Sequence, residues 1–485
     1  MLPSRILITS TNWWPLAARL AAAFGASGAH VGVICPRGSP LLSVSSVREV
    51  FKYAALSPTQ AVAGAMRAMK PDLVVPCDER ALAHLHALHA ALPAGDGLRR
   101  LIERSLGDPA CYAALRSRGQ ALELAGQDGS LEPASRELRS EADVREWCAN
   151  RPLPAVIKAD GTWGGAGVEM VDSLTSALAA FRRMSRPLAT WRVAKFLLSN
   201  RDPFPLRGWL DRTRPGVIGQ DFVKGRAANI MVACWRGEVL ASVGAIALET
   251  VKDFGAATII RLVSHPEMEA VAARLVRRLG MSGFCGIDFI LEDGGKAFMI
   301  ELNPRATQLG HLPFGPMGSL VSVFLARLRG ETAPAVTGPR IAEKGTVAFF
   351  PQAWLADSDS PLLPLAYPDV PWREPALIAE LVRRPWDVRS PLARLTGFLI
   401  RRPDPARILA KSIANLHPPE PASELPARAV AVAEQRSPGP GSGAHALTSA
   451  PAKHLEPCRL PDDLPAAGYD VLGALSRWPR RGRIG

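Results

Sequence analysis

Short apolar runs alternate along the first part of the chain with longer stretches in which apolar residues recur every three or four positions. Arg5–Thr9, His30–Cys35 and Asp72–Pro76 read as buried strands. Pro15–Ala26, Thr59–Met69 and Glu79–Leu92 read as helices. This alternation predicts a small βαβ-type unit with a parallel sheet over residues 1–95. Its first strand runs into Ser10-Thr11-Asn12-Trp13-Trp14, without the G-x-G-x-x-G turn that a dinucleotide pyrophosphate needs. Residues 97–150 read as mostly helical, broken near Asp128-Gly129 and Glu132-Pro133. Apolar pieces at Thr346–Phe350 and Ala376–Val382, separated by prolines, predict a small appended element over 331–402. From residue 403 the periodicity stops, and Ser437-Pro438-Gly439-Pro440-Gly441-Ser442-Gly443 is linker-like, so a disordered tail is expected over 403–485. No internal repeat stands out.

Composition changes this picture little. The chain has 485 residues, 58 Lys+Arg against 45 Asp+Glu and a formal charge of +13. Only ten of the basic residues are lysines, so most of the excess is a blanket arginine bias and weak evidence for a nucleic-acid partner. The seven cysteines, from Cys35 to Cys458, include no C-x-x-C pair, which argues against a disulfide scaffold or zinc ribbon. No apolar run approaches the roughly 18 residues of a membrane span. Ser10, Thr11, Asn12 and Pro15 interrupt the N-terminal apolar stretch, so a signal peptide is not expected and the predicted location is cytoplasmic.

Two motifs carry chemistry. Pro154-Ala155-Val156-Ile157-Lys158-Ala159 is a short strand that enters Asp160-Gly161-Thr162-Trp163-Gly164-Gly165-Ala166-Gly167, and a strand resumes at Val168–Val171. A Walker A loop leads into a helix and ends G-K-[ST]; this loop does neither. A glycine hairpin can still fold over a triphosphate, because glycine lets backbone N–H groups approach closely. Lys158 is placed to touch a phosphate or the purine. The alternative is a tight hairpin with a solvated lysine.

The second motif is sharper. Gly283–Leu291 and Ala297–Arg305 form an apolar hairpin broken only at Asp288, Glu301 and Asn303 before Pro304-Arg305. With Asp293-Gly294-Gly295-Lys296 as a four-residue loop, Glu292 pairs with Ala297, Asp288 faces Glu301 and Gly286 faces Asn303. Two carboxylates that close repel unless one is protonated or a cation lies between them. Two carboxylates and an amide oxygen, completed by phosphate oxygens and water, suit Mg²⁺, with Mn²⁺ as a substitute. Arg305 would grip a phosphate or carboxylate with its planar fork. The flanks are too apolar for a hairpin edge with solvated acids.

Together these residues resemble the ATP-grasp superfamily, most closely the nucleotide-binding domain of carbamoyl-phosphate synthetase large subunits and biotin carboxylases. The likeness covers roughly residues 97–330 and rests on V-I-K-A-D-G-T-W-G-G-A-G-V, on Gly219-Gln220-Asp221-Phe222-Val223-Lys224-Gly225 and on D-F-I…I-E-L-N-P-R. It implies an α/β and α+β chain: a Rossmann-like pre-ATP-grasp domain (1–95), a helical linker and N-terminal lobe with the glycine lid (96–215), and a C-terminal lobe with the metal site (216–330). ATP would lie between the lobes, with Mg²⁺ on Asp288, Glu301 and Asn303. Lys158, Gly161, Gly164, Gly165 and Gly167 would contact ATP; Gln220 and the backbone of Asp221 and Val223 would meet the adenine. Lys158 and Arg305 would be catalytic, Arg305 steadying an acyl phosphate.

The implied activity is ligation: ATP activates a small-molecule carboxylate, and an amine or similar nucleophile attacks. Nucleic acid is then not the expected partner, and a homodimer is compatible with the resemblance. A nucleotide-binding sensor or scaffold without turnover, and a nucleic-acid-binding protein, are the alternatives. The sequence also departs from the family. Gln220 stands where an acid is common, and Arg116 or Arg118 where a lysine is common. Ser199–Arg214 looks like an insertion, and no biotin-attachment motif occurs. His84, His86 and His89 read as helix-surface histidines, His311 as loop packing and Cys285 as a small core residue. Lys252, Arg261 and the basic end Arg477–Arg483 carry weaker expectations of substrate or acidic-surface contact.

Overall fold

A computed structural model describes residues 3–383, except 116–117, 160–166, 187–188, 191–192, 194–205, 207–208, 210–214, 252–254, 314–317 and 332–344, and also residue 409. The chain divides into two units, Met1–Glu424 and Leu425–Gly485, and the second lies wholly outside the described residues. So do the linker-like tail segment and most of Ser199–Arg214.

The first sheet is built from β1 (Arg5–Thr9), β2 (His30–Cys35), β3 (Val47–Lys52) and β4 (Leu73–Pro76), in the order β3-β2-β1-β4. All three pairings are parallel. Ile6, Leu7 and Ile8 are completely buried because helices cover both faces, which is why this strand is apolar through its centre. β3 escapes the hydrophobic pattern: Val47-Arg48-Glu49-Val50-Phe51-Lys52 is an edge strand that exposes Arg48 and Lys52 on one face and turns Glu49 to Arg5 and His30 on the other. Helix Pro15–Ala26 opens with proline at its first turn, where the missing N–H costs nothing. Helix Glu79–Ala91 is capped by Asp78, which accepts from Ala81 N at 2.9 Å. The same buried carboxylate accepts from Ser10 Oγ, Thr11 N and Thr11 Oγ1, locking the turn after β1 to the end of β4.

The three histidines of that helix are buried rather than on its surface, contrary to the sequence reading. The neighbours supply polar and aromatic partners: His84 Nε2 lies 3.0 Å from Tyr53 Oη, His86 stacks on Tyr112 and His89 Nε2 lies 2.8 Å from Glu103.

A second sheet, in the order β5-β8-β6-β7, uses β5 (Ser135–Glu137), β6 (Ala155–Ala159), β7 (Val168–Val171) and β8 (Val217–Asp221). Ala155, Ile157, Val171 and Val217 point to one face, where Trp147 and Phe181 of helices Glu141–Asn150 and Leu174–Met184 pack on them. Both helices start with a serine capping box.

The third sheet has seven strands. They are β9 (Arg226–Trp235), β10 (Glu238–Thr250), β11 (Ala257–Val263), β12 (Gly283–Leu291), β13 (Ala297–Asn303), β14 (Thr346–Phe349) and β15 (Tyr367–Asp369). The order is β13-β12-β9-β10-β11-β14-β15, antiparallel except for the β14–β15 pair. Thr346–Phe349 and Tyr367–Asp369 therefore continue the large sheet. Helices Arg118–Gln127 and Pro266–Arg278 cover one face, burying Ile230, Val232, Cys285, Ile287, Phe289, Ala297 and Met299. Gly107 ties the helical linker to this body: its φ is +98°, and a Cβ there would lie 2.2 Å from Gly280 O.

Candidate active site

The acidic hairpin forms with a register the sequence only half anticipates. Asp288 pairs directly with Glu301 and Gly286 with Asn303, as expected. The turn end differs: Leu291, not Glu292, pairs with Ala297, and Ile300 is left over as a β-bulge between the Asp288 and Phe289 pairs. The bulge decides which way the acids point. Ala297 and Met299 face the apolar core, and strict alternation would send Glu301 after them. One extra residue resets the phase, so Glu301 and Asn303 share the face of Asp288.

The face is wider than the hairpin. β9 adds Asn229 beside Asp288, giving a cross-strand row Asn229–Asp288–Glu301. Asn229 Nδ2 donates to Asp288 Oδ1 at 2.5 Å, and Asn303 Nδ2 donates to Asp288 Oδ2 at 2.9 Å. Loss of water and the facing Glu301 nonetheless push the Asp288 carboxyl up to about 6. Asn303 Oδ1 accepts from Arg305 Nη2 at 3.3 Å. Arg305 is only 7 % exposed at its side chain. It donates to Glu79 through Nε at 2.8 Å and through Nη2, and to Ala306 O at 3.0 Å. Glu79 opens the helix after β4, so the first sheet contributes an acid here. Above Gly286 sits Thr307: a Cβ at 286 would lie 2.2 Å from its methyl group. Thr307 Oγ1 donates to Asn229 Oδ1 at 3.4 Å.

Across the second sheet, Lys158 pairs with Ile218 and Val156 with Gln220. These four share the face opposite the Trp147 core. Gln220 is buried, and its Nε2 donates to Ser135 Oγ at 3.1 Å. The Asp221 carboxylate is held by Arg151, while its N–H donates to Ala134 O at 3.0 Å, leaving the carbonyl as its remaining backbone group. Val223 follows β8 and is partly buried. Gly167 closes the base of the glycine hairpin by accepting from Ala159 N at 2.8 Å. Gly161, Gly164, Gly165, Arg116, Lys252 and the side chain of Arg118 lie outside the described residues.

The family model described as an ATP-grasp domain matches residues 200–308, which include β8 and the whole acidic hairpin. The chain carries an ATP-grasp domain. No curated protein matches the sequence. Among solved structures, N5-carboxyaminoimidazole synthase from Aspergillus clavatus, in complex with ADP and 5-aminoimidazole ribonucleotide, superposes with a TM-score of 0.51 at 15 % identity. The match covers 71 % of this chain and 81 % of that one. The same enzyme complexed with ATP gives 0.50 at 15 % identity, with the same coverage. The biotin carboxylase domain of Hydrogenobacter thermophilus 2-oxoglutarate carboxylase, solved with MgADP and bicarbonate, gives 0.49 at 12 % identity over 71 % of this chain and 74 % of that one. At 15 % identity the two Aspergillus superpositions establish the fold alone: a parallel-sheet domain followed by the antiparallel sheets of the ATP-grasp domain.

The acids of the ATP-grasp domain fit a small hard cation. Two carboxylates face each other, and the one closed in by Asn229 and Asn303 is reluctant to ionise alone. Among the described residues no cluster of three or more His, Cys, Asp or Glu side chains forms, so water and phosphate oxygens would have to complete the shell. Asn303 turns its N–H to Asp288, because a carboxylate only accepts and Arg305 only donates. To serve as a ligand its amide would have to turn over.

Sequence reasoning missed Asn229, Glu79 and Thr307. Asn229 had a signal, a single amide in an apolar strand; Glu79 had one too, an acid just past a parallel strand's end. Thr307 had none. His311 is used structurally, its Nε2 lying 2.8 Å from buried Asp369. Burial lowers its pKa against the pull of that acid. Cys285 is a core residue whose thiol burial pushes far up, so it is no nucleophile.

Proposed function

We propose that the protein is an ATP- and Mg²⁺-dependent ligase that activates a small carboxylate as an acyl phosphate for attack by an amine or similar nucleophile. The observation that carries this reading is the direct opposition of two part-buried carboxylates, Asp288 and Glu301, with the Asp288 carboxyl raised, an arrangement that suits a bound cation. Mg²⁺ on these acids would neutralise charge on the polyphosphate. Lys158 and the backbone of the glycine hairpin would bind the phosphates, and Gln220 with the Asp221 carbonyl and Val223 would hold the adenine.

In the first step a carboxylate oxygen attacks the γ-phosphorus, and the bond to the bridging oxygen of ADP breaks. In the second the amine nitrogen attacks the acyl carbon, phosphate leaves with the bonding pair, and the nitrogen loses a proton. Arg305, desolvated and planar, is suited to the acyl phosphate once its hold on Glu79 is shared with substrate. Exclusion of water protects that intermediate from hydrolysis.

The test is ADP release from ATP and Mg²⁺ with pooled carboxylic acids and amines. The expected result is turnover that needs both classes and collapses in Glu301→Gln. Absence of turnover with every pool, or Glu301→Gln within a few-fold of wild type, overturns the proposal.

A further inference from the structure

We infer that Ser135 is a positioning residue that fixes the polarity of the Gln220 amide and thereby selects a 6-amino purine over a 6-oxo purine. The inference rests on the ATP reading above and adds to it a residue that the sequence motifs do not contain. The two ends of a glutamine amide have nearly the same shape and opposite hydrogen-bonding character. A glutamate at this position would present acceptors whichever way it turned. Glutamine recognises an exocyclic amine only if something holds its oxygen toward the base.

The register of the small sheet supplies that hold. β5 pairs with β8 so that Ser135 lies directly opposite Gln220. A serine hydroxyl has one proton, and Ser135 Oγ gives it to Pro133 O at 2.8 Å. Toward Gln220 it therefore offers only a lone pair, which takes the Nε2 proton at 3.1 Å. An inverted amide would set Oε1 against that lone pair. Alternatively, Ser135 would have to abandon Pro133. Among the described residues this is the one hydrogen bond of the Gln220 side chain, so Oε1 is the end left for a ligand. Gln220 shares its sheet face with Lys158 and is 2 % exposed, so water competes weakly for it. An acceptor in that place attracts the 6-amino group of adenine and repels the 6-oxygen of guanine.

The experiment compares full-length wild type, Ser135→Ala, Ser135→Thr, Gln220→Glu and Ser135→Ala/Gln220→Glu. Dissociation constants for ATP and GTP are measured by calorimetry with Mg²⁺, and unfolding temperature is the control. Because Ser135 lies on an exposed edge strand, its removal should leave the fold intact. Wild type should prefer ATP, and Ser135→Ala should cut the ATP:GTP preference about tenfold, by weakening ATP and strengthening GTP. Ser135→Thr should restore the preference. In the Gln220→Glu background, whose carboxylate has no polarity to fix, the serine substitution should change nothing. An unchanged preference in Ser135→Ala, with wild type still selecting ATP, overturns the role of Ser135 and spares the ATP reading. Failure of wild type to bind either nucleotide overturns both, and equal binding of the two overturns the selectivity.

Discussion

Two aspartates near opposite ends of the seven-stranded sheet, one buried and one part-buried, meet opposite fates. Asp369 on β15 is almost fully buried, and burial alone would raise its pKa. Arg19 from the first helix and His311 from the loop after the acidic hairpin outweigh that effect and hold the carboxyl below its ordinary range. Asp288 on β12 loses its water too, but its facing neighbour is Glu301, and its carboxyl is pushed up to about 6 despite two amide donors and nearby Arg305. The fold sets one acid between two cationic partners and the other opposite a second acid. A raised acid facing a second acid suits a cation-binding site, whereas an acid held by two cationic side chains is a fastening.

That contrast can be broken experimentally. The largest effect should be on chemistry: Glu301→Gln should lower ADP release on the order of a hundredfold or more while leaving the unfolding temperature in place. Asp369→Ala should do the reverse. Stranding Arg19, whose side chain is 11 % exposed, should cost about 3–5 kcal/mol in denaturant unfolding, with activity per folded molecule retained.

The two acids should also give the metal-free protein opposite pH responses. The raised pKa of Asp288 means its contribution to stability is complete below about pH 4 and lost as pH rises through about 6. That loss should be on the order of 2–3 kcal/mol, visible as a falling unfolding free energy that Asp288→Asn flattens and Mg²⁺ offsets. Asp369, with its pKa lowered, contributes above about pH 4 and fails only in stronger acid. A stability curve that rises between pH 4 and 6 in wild type and not in Asp288→Asn would refute the assignment. The smallest effect belongs to Gly286→Ala, which pushes a methyl group into Thr307. It should cost about 1–3 kcal/mol, and Thr307→Ser should recover part of it.

Much of this was legible along the chain. β1, β2 and helix Pro15–Ala26 fall on the residues that the apolar pattern indicates, because both faces of the first sheet are covered and periodicity reports burial directly. β3 and β5 were not legible: an edge strand rich in charge and a three-residue strand carry no periodic signal. Asp288, Glu301 and Asn303 were readable as polar interruptions of an apolar hairpin. Their partners were not, since Asn229 is 59 residues from Asp288 and Glu79 is 226 from Arg305 in the chain. The histidines of the third helix look solvent-facing in isolation and are buried by Tyr53, Tyr112 and Glu103.

The amino-acid order alone determined which residue types were available for chemistry and that they sit on short strands and a glycine hairpin, because local pattern and backbone preference act over a few residues. Tertiary structure decided how they meet. The bulge at Ile300 turned Glu301 out of the core toward Asp288, and strand pairing set Asn229 beside it and Ser135 opposite Gln220. A one-residue change of register moves a side chain to the other face of a sheet, and only the packing of distant apolar surfaces selects the register.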